Sequence, residues 1–259
     1  MFENVRHCGK SDIGRQRHTN EDSLLIVGPD SNINNISQLG VAFVVADGLG
    51  GHAAGEIASR LACEEVIASY YRPDGLFRNG SDNWETKVGK LEQAIRSAHN
   101  KLIHLATAKG EWRGMGTTLS VLVLTEDKAL IAHVGDSRIY RYRNNEAQRL
   151  TIDHTRRQDL IDQGLIEPED DNSRRYGLIL TRTLGGYDEL EAVFTRVDDL
   201  QPGDAFLLCT DGLHDLLTDN EIQEILVRNF PPQAACEALV QAAISKGGGD
   251  DITVIVVHA

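Results

Sequence analysis

The sequence predicts an α+β domain in which antiparallel sheets are covered by helices, and three observations carry that prediction. Short apolar runs, among them Val41–Ala46, Thr117–Leu124 (TTLSVLVL), Ala129–Val134 (ALIAHV) and Asp204–Cys209 (DAFLLC), have the length and composition of buried strands. Neighbouring runs are joined by tight turns, TEDK at Thr125–Lys128 and GDS at Gly135–Ser137, too short for the crossover that a parallel pair needs. Longer segments with apolar residues at three- and four-residue steps supply the helices that cover the sheets. With no internal repeat and no long linker, residues 1–259 read as a single domain.

Taken in order, Leu24–Val27 is a strand preceded by a polar stretch that ends in Glu21 and Asp22, and Asp30–Gly40 reads as a hairpin loop. Val41–Ala46 runs straight into Asp47 and a cluster of glycines, Gly48, Gly50 and Gly51, which let the backbone turn and approach a ligand closely. Ala53 to Arg72 is helical, with Ala54, Ile57, Ala58, Leu61, Ala62 and Val66 on one face. A polar connector, Arg72–Asn83, leads to a second helix over Trp84–Lys109, where Val88, Leu91, Ile95, Ala98, Leu102 and Leu105 make the core stripe and Gly110 stops it. Strands follow at Thr117–Leu124, Ala129–Val134 and Arg138–Arg143, then a helix within Leu150–Gly164 after Asp153. Glu167–Tyr176 is charged and aperiodic, as a surface loop is. Thr218 with Glu221 three residues on is a capping box; its helix ends at Pro231-Pro232, and Gln233–Lys246 is the last helix before the strand Ile252–Val257.

Composition excludes several classes. A formal charge of −13 lacks the basic footprint of a general nucleic-acid binder. The four cysteines, Cys8, Cys63, Cys209 and Cys236, form no CxxC pair, so free thiols are expected rather than a zinc site or a disulfide scaffold. The N-terminal MFENVRHCGK has no apolar signal region, and no apolar run approaches the roughly 18 residues that span a bilayer. The expected compartment is the cytoplasm.

The acids carry the chemistry. Asp47, Asp136 and Asp211 follow apolar strands, Asp250 precedes Ile252–Val257, and Glu21 and Asp22 precede Leu24–Val27. The strands are core-like and are expected to share one sheet edge. Carboxylates converging there repel one another unless protonated or metal-bound, and hard oxygen-ligated cations, Mg²⁺ or Mn²⁺, are the natural occupants. Arg17, four positions before Glu21, is suited to bidentate phosphate capture. Together these point to metal-assisted hydrolysis of a phosphate ester. Neither GxSxG, a Walker loop nor the HCx₅R loop of cysteine phosphatases is present, and Cys209 lies in an apolar strand without an adjacent base.

Ordered along the chain stand GRQRHTNED (14–22), VADGLGGH (45–52), GMGTT (114–118), HVGDSRIY (133–140), LTIDHT (150–155), LTRTLGG (180–186), CTDGLHD (209–215) and GGDDITVIVV (248–257). In these blocks the chain resembles the metal-dependent type 2C (PPM) protein serine/threonine phosphatases, in their short bacterial form. The resemblance implies a four-layer αββα sandwich, with two antiparallel sheets flanked by helices and two Mn²⁺ or Mg²⁺ ions between the sheets at one end. It implies that Asp47 bridges both metals, that Gly48 offers its carbonyl to one, and that Asp211 and Asp250 hold the first ion and Glu21 the second. Asp22 matches the acid that orients metal-bound water, Arg17 the phosphate-binding arginine, and Asp136 with Asp211 a third, weaker metal site. Of the doubled acids, Asp250 is the expected ligand, Asp251 caps the turn and Thr253 supports it. The implied reaction is direct attack on phosphoserine or phosphothreonine by a hydroxide bridging the metals, without a phosphoenzyme.

Two departures mark this chain. Eukaryotic members place a histidine, a proposed general acid, where this sequence has Leu49; His52 is offset by three residues and reads as structural. The flap, residues 155–180, carries NSRRYGL at Asn172–Leu178 where bacterial relatives have a His-Pro-rich stretch, which bears on substrate choice; Arg174 and Arg175 are candidates for contact with an acidic phosphopeptide. The expected setting is a monomer acting on phosphoproteins opposite a serine/threonine kinase, with no nucleic acid and no membrane. The competing readings are a catalytically silent binding module of the same fold and a phosphatase of small phosphate esters.

Overall fold

The computed structural model of the chain describes residues 2, 4–50, 54–73, 84–168, 176–186, 189–190 and 193–259. In chain order the elements are β1 (Arg6–Asp12), β2 (Asp22–Val27), α1 (Ile36–Leu39), β3 (Val41–Leu49), α2 (Ala54–Tyr70), α3 (Trp84–Ala108) and a 3-10 turn (Gly110–Trp112). Next come β4 (Gly116–Thr117), β5 (Leu119–Leu124), β6 (Lys128–Val134), β7 (Arg138–Arg143), β8 (Glu146–Arg149), α4 (Arg156–Asp162) and β9 (Leu184–Gly185). The chain closes with β10 (Phe194–Asp199), β11 (Ala205–Cys209), α5 (Asp211–His214), α6 (Asp219–Arg228), α7 (Pro232–Ser245) and β12 (Ile252–His258).

The strands form two antiparallel sheets. One is five-stranded, in the order β1-β12-β11-β7-β8; the other is seven-stranded, in the order β10-β6-β5-β3-β4-β9, with β2 pairing β3. Side-chain alternation explains the layering, because successive residues of a strand face opposite sides. Along β3, Val41, Phe43 and Val45 enter the core between the sheets, with Leu122, Ile131, Ile139, Phe206, Leu208 and Ile255. The intervening Ala42, Val44 and Ala46 pack beneath α2 and α3, against Ala58, Ala62, Val66, Leu91 and Ile95. On the far side Leu207, Cys209, Val254 and Val256 pack against Ile222 of α6 and Cys236, Leu239 and Val240 of α7. The layers are therefore helix, sheet, sheet, helix, as the family resemblance implies.

Local signals worked where they were strong. Thr218 caps α6 in a full capping box with Glu221, and Pro232 opens α7 at a position where a missing N–H costs nothing. Strands with weak apolar patterning were missed. β1 (RHCGKSD) alternates between exposed and half-buried, β8 and β10 are polar, and their places are set by partners far along the chain, as Arg6 opposite His258 shows. Asp30–Gly40 is not a plain hairpin loop, since it contains α1. β3 does not stop at Asp47 but runs through it to Leu49, where Gly48 and Leu49 pair with Thr117 and Gly116. The connector 74–83, the glycine and histidine at 51 and 52, and flap residues 169–175 with Arg174 and Arg175 lie outside the described residues. Among those described, no helix is long and apolar enough to cross a membrane.

Phe43 is fully buried where the sheets meet. Phe43→Ala is expected to lower unfolding free energy by about 3–5 kcal/mol, read from denaturant unfolding. A loss below about 1 kcal/mol would mean that the two sheets do not share this core.

Candidate metal and phosphate centre

The register of β2 and β3 sets Asp22 directly opposite Asp47. Both fall in step with the residues that face the other sheet: Val41, Phe43 and Val45 lead to Asp47, while Leu24 and Ile26 share a face with Asp22. From the other sheet, β11 ends at Cys209 and releases Asp211 as the first residue of α5, and Asp250-Asp251 precede β12. The expectation of one shared sheet edge is thus corrected. The acids come from two sheets and meet across the gap between them, an arrangement that strand ends alone do not reveal.

Hydrogen bonds join the two sides. Thr210 Oγ1 donates to Asp22 Oδ2 at 2.8 Å and accepts the Thr253 N–H at 3.0 Å. Asp251 Oδ2 accepts the Glu21 N–H at 2.8 Å. Asp250 Oδ1 accepts the N–H of Asp251 at 2.8 Å, and its Oδ2 takes Arg17 Nη2 at 2.7 Å. The turn is therefore capped by Asp250, not by Asp251 as expected, and Asp251 instead ties the turn to Glu21. Thr253 does support the region, its Oγ1 sharing a hydrogen with Ser11 Oγ at 2.7 Å.

Three residues that the sequence reading passed over hold the acids in place. Thr118 Oγ1 accepts the Asp47 N–H at 2.9 Å and shares a 2.6 Å hydrogen bond with Ser137 Oγ, beside Asp136. Ser59 donates to the Glu21 carbonyl at 2.6 Å. His214 Nε2 lies 3.0 Å from the Asp136 carbonyl oxygen. Thr118 and His214 stand inside the quoted blocks GMGTT and CTDGLHD, which was the available signal; Ser59 sits on a helix face and gave none.

Glycine is required where oxygens crowd. A Cβ on Gly48 would lie 2.1 Å from the Gly55 carbonyl oxygen. A Cβ on Gly55 would lie 2.6 Å from Glu21 Oε2 and 2.9 Å from the Gly48 carbonyl oxygen. The Glu21 carboxylate and the Gly48 carbonyl thus converge over the same point at the start of α2.

Electrostatics mark the centre. Burial, and then the charge of Asp211, push the Asp47 carboxyl well above the usual range. Burial, and then Asp211, push Asp136 up to about 8. Burial raises Asp22, with Asp211 and Asp251 adding to it against the opposing Thr253 and Thr210 hydrogen bonds, and burial likewise raises Asp211, Glu21 and Asp251. Asp47 and Asp211 crowd each other, and the charge of Asp211 adds to the rise of the Asp47 carboxyl. Asp22 Oδ1, Asp211 Oδ1 and Asp251 Oδ1 are buried and have no hydrogen-bond partner among the described residues. Such atoms are costly to bury, and oxygen donors of this kind suit Mg²⁺ or Mn²⁺. In this arrangement the acids engage Arg17, Thr210 and backbone N–H groups. Among the described residues no three His, Cys, Asp or Glu side chains already stand together in ion-holding geometry. The donor set fits divalent cations, and an ion that takes Asp250 has to displace its contact with Arg17.

A cleft of about 800 Å³ opens beside the acids, lined by Asp136, Asp211, His214, Arg138 and, from the described ends of the flap, Pro168 and Leu178. Leu49, where eukaryotic members have histidine, ends β3 half-buried.

A model of the family described as Protein phosphatase 2C matches residues 8–245. The chain belongs to the protein phosphatase 2C family. Its sequence is 33% identical over 247 residues to the protein phosphatase PhpP of Streptococcus pneumoniae, covering 95% of this chain and 94% of that protein. Its fold matches the crystal structure of the Mycobacterium tuberculosis serine/threonine phosphatase PstP/Ppp with a TM-score of 0.81 at 31% identity, covering 98% of each chain. The catalytic domain of PstP in complex with two manganese ions matches with a TM-score of 0.79 at 31% identity, over 98% of this chain and 97% of that one.

Two outcomes test the centre in this phosphatase. Gly48→Ala is expected to cost about 1–3 kcal/mol of stability by overpacking; an unchanged unfolding midpoint would mean that the Gly48–Gly55 approach is not as close as described. The raised carboxyls bind protons more tightly folded than unfolded, so without divalent cation stability is full below about pH 4 as far as these groups are concerned and falls as pH rises through about 8 for Asp136. Thermal unfolding of chelator-treated protein should therefore show a lower midpoint at pH 8 than at pH 5.5, and Asp136→Asn should reduce that difference. An equal or larger difference in the variant would contradict the charge crowding.

Proposed function

We propose that this chain is a metal-dependent serine/threonine protein phosphatase whose two Mn²⁺ or Mg²⁺ ions are held by Asp47, the Gly48 carbonyl, Asp211, Asp250 and Glu21. The observation that carries this reading is the meeting of buried, mutually repelling carboxylates from two sheets, with the Glu21 carboxylate and Gly48 carbonyl converging on one point and Arg17 at the rim. The relatives' names and the manganese complex of PstP support it. Asp136, facing Asp211 across the cleft, is proposed for a third, weaker site.

When bound, the ions would supply Lewis acidity and would lower the pKa of water enough for direct hydrolysis near neutral pH. The chain's residues do the rest. Asp250 now neutralises Arg17, so an ion that takes Asp250 frees the guanidinium to grip two phosphoryl oxygens and to stabilise the charge that develops there. Asp22, buried and fixed by Thr210, is placed to orient the attacking water. A covalent phosphoenzyme on Cys209 is disfavoured, because burial pushes that thiol up to about 12. Leu49 supplies no proton, so the leaving alkoxide takes its proton from water in the site. The proposed setting is the cytoplasm, as a monomer acting on phosphoproteins made by a serine/threonine kinase. Free thiols suit a reducing compartment.

Hydrolysis of p-nitrophenyl phosphate and of a phosphothreonine peptide, with Mn²⁺, with Mg²⁺ and with chelator, tests the proposal. Turnover of both that vanishes in chelator is expected. Turnover of the small ester alone would favour the small-ester phosphatase, and none with metal bound would favour a binding module. Asp47→Asn and Asp211→Asn are expected to abolish metal-dependent turnover, and Arg17→Ala to raise KM more than it lowers kcat. Near-normal rates in the acid variants would refute the ligand assignment, and an unchanged KM would take Arg17 out of phosphate binding.

A further inference from the structure

Away from the acids, Cys8 of β1 and Cys236 of α7 meet. Register sets the encounter. Cys8 stands opposite Val256 of β12, and Val256 lies with Cys236, Leu239 and Val240 in the core beneath α7, so the Cys8 side chain faces the helix. The Cys236 thiol donates to the Cys8 carbonyl at 3.2 Å. The Cys8 thiol donates to the side-chain oxygen of Gln233 at 3.0 Å, one helical turn before Cys236. Cys8 is half-buried and accessible to a small oxidant, while Cys236 is buried behind it.

We propose that Cys8 and Cys236 are a modification site: a pair that hydrogen peroxide converts to a disulfide stapling β1 to α7. The Cys8 sulfur attacks the peroxide, the O–O bond breaks, and one water leaves as Cys8 becomes a sulfenic acid. The Cys236 sulfur then displaces that hydroxyl. The sulfur–sulfur bond forms, and the thiol proton departs with the hydroxide as a second water, so the two electrons lost by the thiols are those gained by the peroxide. Burial holds the Cys236 thiol above its usual range, so the second step accelerates as pH rises.

The staple acts on both arms that reach the acid centre. β1 leads through Gly14 to Arg15, whose N–H donates to the Gly248 carbonyl at 2.7 Å, and α7 leads to Gly248 from the other side. Fixing β1 on α7 therefore restrains the segments that carry Arg17 and Asp250. Cross-linking residues so distant in sequence also restricts the unfolded chain.

The test is treatment of the folded protein with excess hydrogen peroxide, alkylation of remaining thiols under denaturing conditions, and peptide mapping without reduction. The expected result is a Cys8–Cys236 linked peptide, removed by dithiothreitol and retained in Cys63→Ser and Cys209→Ser. The treated protein should also unfold at a higher temperature than similarly treated Cys8→Ser, a half-buried position that tolerates serine. Recovery of Cys8 as sulfinic acid with Cys236 alkylated, a Cys8–Cys8 bond between two chains, or no loss of thiols would each overturn the proposal.

Discussion

Two hydrogen bonds hold the sheets together at the end where their charges push them apart. Thr210 reaches from the five-stranded sheet to Asp22, and Asp251 accepts the backbone N–H of Glu21. Asp22, Asp47, Asp136 and Asp211 are all raised by burial, each with neighbouring carboxylates adding to it. A protein interior does not tolerate several such charges without compensation. The present arrangement compensates with raised proton affinity and with Arg17, and the proposed divalent cations would compensate with charge. The fold is what makes the conflict possible, because the core of Phe43, Ile131, Phe206 and Ile255 fixes the two sheets face to face and leaves their acidic ends no room to separate.

In the proposed mechanism this conflict also links metal and substrate. Arg17 is both the internal counter-ion of Asp250 and the natural grip for a phosphoryl group. On the proposed ligand assignment, a cation that takes over Asp250 would release the guanidinium and so couple metal loading to phosphate binding through one side chain. The hydroxyl pair of Thr118 and Ser137 performs a matching service on the other side, joining the backbone of Asp47 to the segment that carries Asp136.

The candidate acids were legible in the sequence because each adjoins a recognisable strand or glycine turn. Their partnerships were not. Whether Asp250 or Asp251 caps the turn depends on an N–H of Glu21 that lies more than two hundred residues away. The same holds for the fold. Val41–Ala46 and the Thr218 capping box announce themselves locally, whereas β1 is a polar edge strand that exists because β12 offers it a partner. Reading the acids as sharing one sheet edge failed for that reason, since strand order is a long-range property.

The measurement that bears most directly on this account is calorimetric titration of Mn²⁺ into the metal-free protein in buffers of different ionisation enthalpy. If buried carboxyls hold protons that cations replace, binding near neutral pH must release protons, with more than one ion bound per chain, and Asp47→Asn must weaken it sharply. Mn²⁺ binding without proton release, or undiminished in Asp47→Asn, would contradict the claim that these acids form the metal centre.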